Sequence, residues 1–371
     1  MCTFAPGREI QQLTSEGDMK ILITGNMGYI GPSVIQRIRI SRPEATLIGL
    51  DTGYFANCLT NAQILPECRV DVQHFADVRS MSEDLLRDVY AVVYLAAISN
   101  DPMGNTFEEP TYDINYRAAI EVARKAKKAG VKRLVYASSC SMYGFAEDGA
   151  KTETSELNPL TAYAKSKTLA EKDLEKIADK DFTVTSLRFS TACGMSERLR
   201  LDLVLNDFVA GAVASKKITI LSDGTPWRPL INVKDMARAI DWAIVRDSSA
   251  GGDFLAINIG SNEWNYQVKD LAAAVAEVIP GIEVSINKDA QPDKRSYRVS
   301  FDLFKKLAPD YQPQVGLLTT IKELRDGLED MGFKDRDFRN SQFMRLKVLT
   351  SLRSKNLLTE KLEWTTHCQE A

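Results

Sequence analysis

Histidine is scarce in this sequence, because the 371 residues include only His74 and His367. A serine–histidine–aspartate triad or a histidine-rich metal site would have to use one of these two residues. We therefore predict no metal site. We also expect that any active site in this chain moves protons with a different side chain.

Other absences exclude further classes of protein. None of the six cysteines forms a C-x-x-C pair, which argues against a zinc ribbon or a thioredoxin-type redox motif. A chain of this length buries a core without disulfides, so we expect reduced thiols and a cytoplasmic location. The longest apolar stretch, residues 91–98, is far short of the roughly 18 residues that span a membrane, and no signal-peptide-like apolar run is present. We therefore expect no membrane partner.

The charge is nearly balanced, with 47 basic and 50 acidic residues and a net charge of −3. Proteins that bind nucleic acid usually show a basic surplus or a basic stripe. Neither is visible here, so we predict no nucleic-acid partner.

Short apolar runs alternate with helical segments from Met19 onward. Runs rich in Val, Ile and Leu, separated by helices, predict a parallel sheet that is covered on both faces. The predicted strands are residues 20–24, 46–51, 91–97, 133–137 and 182–189, and the predicted helices are residues 29–39, 111–130 and 161–178. The sequence thus predicts an α/β fold, a Rossmann-type doubly wound parallel sheet with a smaller mixed α/β substrate-binding lobe.

A glycine-rich turn follows the first predicted strand and contains Gly25, Gly28 and Gly31. Glycine allows the tight turn and the close approach of the backbone to a pyrophosphate at a helix N-terminus. Asp51 ends the next strand about 20 residues later, where an acid accepts hydrogen bonds from ribose hydroxyls and repels a 2′-phosphate. Although each residue alone is also typical of a turn or a helix cap, the combination predicts NAD rather than NADP.

Tyr163 and Lys167 are four residues apart on one face of a predicted helix. A phenol is a poor base at neutral pH, but a nearby ammonium and an oxidised nicotinamide favour its ionised form. Such a pair also occurs by chance on many helices. Here it follows Ser139, which lies where a strand reaches the ligand-binding edge of the sheet.

Six motifs in order carry a family resemblance: TGNMGYIG, Asp77-Val78, LAA at residues 95–97, SSCSMYG, YAKSK and RPLINVKDMARA at residues 228–239. Residues 19 to about 310 resemble the extended short-chain dehydrogenase/reductase family, in its NAD-dependent nucleotide-sugar epimerase/dehydratase branch with UDP-glucose 4-epimerase-like members. The resemblance implies that Ser139 is the catalytic hydroxyl, Tyr163 the general base and acid, and Lys167 the residue that anchors the ribose. It further implies a cofactor site formed by Gly25, Gly28, Tyr29, Ile30, Gly31, Asp51, Asp77, Val78, Leu95, Ala96, Ala97, Ser99, Asn115, Tyr163 and Lys167.

The resemblance implies hydride transfer from a sugar carbon to NAD, followed by epimerisation, elimination or release of a keto-sugar. Family 4,6-dehydratases carry Asp-Glu after the catalytic hydroxyl residue, whereas this chain has Cys140 and Ser141. We therefore expect an epimerase. A ketoreductase or sugar dehydrogenase uses the same residues and stays an alternative. A non-catalytic dinucleotide sensor is a further alternative, although the intact catalytic set argues against it.

The expected substrate is a nucleotide-diphosphate sugar, and arginine suits bidentate phosphate contacts. Thr191-Ala192 replace the Asn-Pro pair that often anchors the diphosphate in the family. The predicted substrate residues are Ser139, Asn206, Arg228, Arg295 and Arg298. Arg198 and Arg200 are candidates for which a surface position is equally plausible. Cys140 and Cys193 are expected to be packing residues, and Asp235 a helix-start acid.

Four segments follow from the resemblance and the pattern along the chain. We expect a polar extension over residues 1–18, with Met19 as an alternative start, and an NAD-binding domain over residues 19–194. Residues 195–335 are expected to form mainly the substrate lobe, with some segments returning to the main sheet. Residues 336–371 are expected to form a helical tail without assigned chemistry. By resemblance, helices 111–130 and 161–178 would pair two copies into a homodimer.

Overall fold

The computed structural model describes residues 19–60, 62–287 and 296–365. Fourteen strands are present in these ranges. They are β1 (Lys20–Thr24), β2 (Thr46–Asp51), β3 (Val72–Phe75), β4 (Ala91–Tyr94), β5 (Arg133–Ser139), β6 (Phe145–Lys151), β7 (Thr183–Phe189), β8 (Thr191–Cys193), β9 (Lys217–Ile220), β10 (Trp227–Asn232), β11 (Phe254–Ile259), β12 (Asn265–Gln267), β13 (Glu283–Ile286) and β14 (Ser296–Val299).

The described ranges also contain eleven α-helices. They are α1 (Gly31–Ser41), α2 (Asp101–Thr106), α3 (Glu108–Tyr112), α4 (Ala118–Lys128), α5 (Ala162–Ile177), α6 (Val204–Ser215), α7 (Val233–Val245), α8 (Val268–Val278), α9 (Asp302–Leu307), α10 (Leu317–Asp330) and α11 (Arg345–Ser354). A π-helical turn over Asp113–Arg117 joins α3 to α4.

Seven strands form the main sheet in the order β11-β7-β5-β4-β1-β2-β3, and all neighbours are parallel. From β1 the chain adds β2 and β3 on one side of the sheet. It then returns to the other side of β1 and adds β4, β5, β7 and β11 in that order. The sheet therefore has a switch point between β1 and β4, where such folds bind ligands. This arrangement confirms the predicted Rossmann-type fold.

A hydrophobic core lies on each face of the sheet. Ile21 and Ile23 of β1 point into one core, and Leu22 between them points into the other. Helices α1 and α7 cover the first face, while α4 and α5 cover the second. Burial on both faces explains why these strands read as continuous apolar runs.

Two details of the main sheet differ from the sequence prediction. Strand β3 was not predicted, because it is a half-exposed edge strand in which Val72 and Phe75 are largely exposed. The predicted strand over residues 91–97 ends at Tyr94. Residues 95–97 leave the sheet and line a cavity instead.

Residues after β7 form two small sheets beside the main one, in the orders β12-β10-β8 and β13-β9. A third small sheet pairs β14 with β6, which precedes β7 in the chain. Strand β11 from this part of the chain returns to the edge of the main sheet, and α7 packs on its face. No helix in the described part of the chain is long and apolar enough to cross a membrane.

The C-terminal tail packs back onto the sheet domain. Helix α11 is followed by a non-helical segment in which Leu358 and Trp364 form a β-bridge. Leu349, Leu358 and Leu362 are buried in the core on the α4–α5 face. Within residues 336–365 the tail therefore contains one α-helix and a short 3₁₀ helix at Phe338–Asn340, and Leu358 and Leu362 are buried without belonging to a helix.

A buried ion pair joins β7 to α5. The Arg188 guanidinium donates hydrogen bonds to both carboxylate oxygens of Glu171, at 2.7 Å for the shortest, and both side chains are less than 10% exposed. We predict that Arg188→Met lowers the free energy of unfolding by about 3–5 kcal/mol, because the Glu171 charge is left buried and unpaired. Urea denaturation measures the change.

The control is Arg87→Met, which removes an ion pair between largely exposed side chains and should change stability little. An equal loss of unfolding free energy in the two variants would contradict a larger contribution from the buried ion pair than from the exposed one.

Candidate active site

A cavity of about 840 Å³ lies at the carboxyl edge of the main sheet. Its walls come from residues that follow β1, β2, β4, β5 and β7, together with parts of the smaller lobe and of the tail. Parallel strands bring their carboxyl ends to one edge, so residues distant in sequence meet here.

The glycine-rich turn forms the floor of the cavity between β1 and α1. Gly25 has φ of +73°, and a Cβ there would lie 2.5 Å from the backbone nitrogen of Ala96. A Cβ on Gly31 would lie 1.9 Å from the carbonyl oxygen of Asn26. The turn is therefore restricted to glycine at these positions, and it leaves the N-terminus of α1 open to an anion. Gly25, Gly28, Tyr29 and Ile30 line the cavity.

Asp51 lies at the end of β2, beside this turn. One carboxylate oxygen accepts a hydrogen bond from the Met27 amide at 3.0 Å, and the other accepts one from the Gly53 amide at 2.7 Å. Burial raises the pKa of Asp51, although both amides oppose the shift. A carboxylate accepts about four hydrogen bonds, so Asp51 keeps acceptor capacity toward ribose hydroxyls.

Asp77 and Val78 line the far end of the cavity. The Asp77 carboxylate also forms a bidentate ion pair with Arg79. Arg79 in turn donates to the backbone carbonyl of Leu362 in the tail. Thus the tail is linked, through Arg79, to the part of the cavity wall that Asp77 and Val78 form.

The same tail segment contacts the loop after β2. The Tyr54 hydroxyl donates to the Leu362 carbonyl, and the Trp364 indole donates to the Thr52 carbonyl at 2.7 Å. The Tyr54 and Trp364 rings lie 5.9 Å apart. Thr52 and Tyr54 line the cavity, so residues 362–364 fix part of its wall.

Leu95, Ala96, Ala97 and Ser99 line the cavity as predicted wall residues, but Asn115 does not. Asn115 is fully buried and forms hydrogen bonds with both the amide and the carbonyl of Ile98. It also donates to Ser166 on α5. Asn115 therefore lies behind the cavity wall, where it holds the wall loop against α5 and orients the residues of the site.

Ser139, Tyr163 and Lys167 all line the cavity. Ser139 ends β5, and Tyr163 and Lys167 lie one turn apart near the N-terminus of α5. The Thr161 hydroxyl caps this helix by accepting from the Ala164 amide. The Lys167 ammonium donates to the Ala137 carbonyl at 2.7 Å and lies 4.5 Å from the centre of the Tyr136 ring.

Burial changes the acidity of both helix residues. It raises the pKa of Tyr163 to about 12, against the effect of a hydrogen bond with Ser139 and of the Arg200 charge. Burial lowers the pKa of Lys167 to about 7. The Lys167 nitrogen lies 5.9 Å from the centre of the Tyr163 ring, so a positive charge on it would also favour the phenolate.

Asp101 is a cavity residue that the sequence analysis missed. It lies at the N-terminus of α2, accepts a hydrogen bond from the Thr161 hydroxyl at 2.6 Å, and lines the cavity together with Tyr163. Its charge raises the pKa of Tyr163. The Asn100-Asp101-Pro102 stretch is a helix-start pattern, which was the available signal.

The arginines predicted for the substrate separate into different environments. Arg228 lines the cavity, whereas Arg298 is exposed outside it, 5.3 Å from the centre of the Trp227 ring. The structure therefore does not support Arg298 as a diphosphate anchor within this cavity. Arg295 lies outside the described residues.

Three residues after β8 have internal partners. Asn206 is fully buried outside the cavity wall, where it donates to Tyr29 and accepts from the Gly194 amide, which corrects its predicted substrate role. Arg198 is buried and paired with Glu67, so it is not a surface residue. Arg200 is also buried, pairs with an acid, and lines the cavity.

The remaining candidates fit structural roles. Cys140 and Cys193 are buried free thiols whose pKa is raised by burial. Asp235 accepts from the Gln314 and Val315 amides, so it ties a loop to the start of α7.

His74 lies on the edge strand β3 and is not a wall residue. No cluster of three or more possible metal ligands occurs within residues 19–60, 62–287 and 296–365.

The chain is similar to known proteins that share one family but catalyse different reactions. The sequence profile of the NAD dependent epimerase/dehydratase family matches residues 21–260. A putative UDP-glucose 4-epimerase from Methanocaldococcus jannaschii is 24% identical over 314 residues, which cover 82% of this chain and 96% of that protein. UDP-glucuronic acid decarboxylase 6 from Arabidopsis thaliana is 23% identical and covers 87% of this chain and 90% of its own length.

Among solved structures, UDP-glucose-4-epimerase from Stenotrophomonas maltophila with bound NAD and formylated UDP-arabinopyranose superimposes with a TM-score of 0.73. The match is 20% identical and covers 85% of this chain and 99% of that one. At this identity the comparison supports the fold.

The position of Asp51 generates a test of cofactor choice. We predict that Asp51→Asn and Asp51→Ala each reduce the preference for NAD over NADP by about tenfold or more, because the charge that repels a 2′-phosphate is removed. Calorimetric dissociation constants for both dinucleotides give the ratio.

The matched control is Asp71→Asn, which alters a carboxylate that also accepts a backbone amide, from Leu47, but lies outside the cavity wall. An unchanged NAD-to-NADP ratio in both Asp51 variants would contradict the ribose contact.

Proposed function

The chain belongs to the NAD-dependent epimerase/dehydratase family, and from this premise we propose that it epimerises a nucleotide-diphosphate sugar through a transient keto-sugar. The observation that carries the proposal is the meeting of Ser139, Tyr163 and Lys167 with the glycine-rich turn and Asp51 in one cavity. One cavity thus holds a base for a sugar hydroxyl and the residues that suit NAD.

Each catalytic residue has a role that follows from its position. Tyr163 takes the proton from the sugar hydroxyl, and Ser139 hydrogen-bonds the same oxygen as its proton leaves. Lys167, held on the Ala137 carbonyl, orients the cofactor ribose beside Tyr163. Bound NAD would supply the hydride acceptor for the sugar carbon, and NADH the donor for the return step. Epimerisation requires the keto-sugar to present its other face before the hydride returns.

The residues after Ser139 favour epimerisation over elimination. Cys140 is fully buried and its thiol donates to the Arg188 carbonyl, so it faces away from the cavity. Ser141 lines the cavity but carries no carboxylate. Neither residue therefore supplies the acid–base group that removes a hydroxyl from the neighbouring sugar carbons.

Arg228 is the strongest candidate for the diphosphate among the predicted substrate residues, because it lines the cavity from the smaller lobe. We further propose a cytoplasmic location and a homodimer that pairs through α4 and α5. The exposed Leu169 on α5 supports such a contact.

The proposed reaction is tested by incubating the protein and NAD with a panel of nucleotide sugars and separating the products. We predict interconversion of two epimers without net formation of NADH. Accumulation of a keto-sugar with stoichiometric NADH would support a dehydrogenase instead, and formation of a deoxy-keto-sugar would support a dehydratase. No conversion of any nucleotide sugar, with intact NAD binding, would favour a sensor.

The assigned base is tested by Tyr163→Phe. We predict that this variant lowers turnover by about 10²–10⁴-fold, because it lacks the group that accepts the proton. The NAD dissociation constant should change little, and calorimetry checks it. Substantial residual turnover would contradict the assignment.

Asp101 provides a test in the pH profile. Its charge raises the pKa of Tyr163, so Asp101→Asn should lower that pKa and shift the acidic limb of the sugar-oxidation rate to lower pH. The exposed Asp181→Asn is the control. A shift to higher pH, or equal profiles for the Asp101 variant and wild type, would contradict this electrostatic coupling.

A further inference from the structure

Helix α11 of the C-terminal tail brings Arg345 to the cavity wall. The side chain is nearly fully buried. One terminal nitrogen donates to the Arg198 carbonyl at 2.7 Å, and the guanidinium lies 4.5 Å from the centre of the Phe55 ring. The other terminal nitrogen, Nη1, is buried without a hydrogen-bond partner among the described residues.

The Arg345 charge is not neutralised within the part of the chain that the structure describes, because no carboxylate there lies within 4.0 Å of it. The nearby Asp202 is paired with Arg200. The Cys58 thiol lies within hydrogen-bonding reach of the Arg345 side chain, but burial raises the pKa of this thiol, so it supplies no negative charge. Burial lowers the pKa of Arg345 to about 10, which leaves the guanidinium charged at neutral pH.

A buried arginine without an anionic partner is unfavourable unless all of its donors reach other acceptors, as those of Arg246 reach backbone carbonyls and the Thr185 hydroxyl, or an anion binds beside it. Arg345 differs in this respect from Arg188, Arg198 and Arg200, which are all buried and paired. A guanidinium with a free donor on a cavity wall suits a phosphate or diphosphate.

The surroundings of Arg345 distinguish between the two diphosphates that this cavity would hold. Phe55 and Cys58 belong to the loop that follows Asp51, and the Arg345 guanidinium packs against the Phe55 ring of that loop. Arg345 thus lies beside the loop that follows the ribose acid, on the cofactor side. The substrate candidate Arg228 comes from the smaller lobe instead.

We propose that Arg345 binds the pyrophosphate of NAD, so that the C-terminal tail forms part of the cofactor site. The proposal rests on the NAD site of the proposed function but not on which sugar reaction follows. It also gives a role to a segment that lies beyond residues 21–260, the part of the chain that the family profile matches.

The test compares Arg345→Met and Arg345→Lys with wild type and with Lys347→Met. Lys347 is an exposed cation on the same helix and is a matched control for the loss of one charge. Calorimetry measures dissociation constants for NADH, ADP-ribose and UDP. We expect Arg345→Met to weaken NADH and ADP-ribose binding by about 10- to 100-fold, as for a lost charged hydrogen bond. Arg345→Lys should fall in between, and UDP binding and the control should be unchanged.

Unfolding midpoints measured before and after NADH addition separate binding from folding. Methionine replaces an unpaired buried charge, so the midpoint without NADH should not fall, whereas the rise caused by NADH should shrink. A lower midpoint without NADH together with unchanged NADH affinity would overturn the proposal and indicate a structural role. Weaker binding of UDP alone would overturn it in favour of the substrate diphosphate. These readouts need no turnover, so failure of the epimerase assignment would be recognised separately.

Discussion

All seven strands of the main sheet end at one edge, and the candidate site depends on that constraint. The glycine-rich turn, Asp51 and Ser139 follow three different strands, yet the parallel pairing brings them to one cavity. Helix α5, which covers one face of the sheet, begins at the same edge and carries Tyr163 on its first turn. A sheet buried on both faces by two apolar cores fixes these positions closely enough for chemistry.

Around this edge, burial determines how the charged groups behave. Lys167 is held by a backbone carbonyl and an aromatic ring rather than by a carboxylate, so its pKa falls to about 7. Tyr163 is shifted in the opposite direction by the same burial. Because the pKa of Tyr163 is so high, its phenol needs additional positive charge nearby in order to ionise. An oxidised nicotinamide beside it would supply that charge.

The sequence was sufficient for those parts of the fold and site that leave a local pattern. Strand β1 is a continuous apolar run, and the spacing of Tyr163 and Lys167 predicts their common helix face. Strand β3 left no such pattern because it is short and half exposed. Residue type alone also misassigned Asn206, since its buried partners come from distant segments. Arg345 was missed for the same reason, because most of the cavity that it lines is formed by residues far from it in the sequence.

In the proposed reaction, the sugar is oxidised and then reduced at one carbon, with NAD as the hydride carrier. The most direct measurement uses a substrate from the panel with deuterium at that carbon, turned over in ordinary water. Our account predicts that the epimeric product retains the deuterium at the same carbon. Replacement of the deuterium by solvent hydrogen would contradict hydride transfer to NAD, because it would show that a proton is abstracted from the carbon.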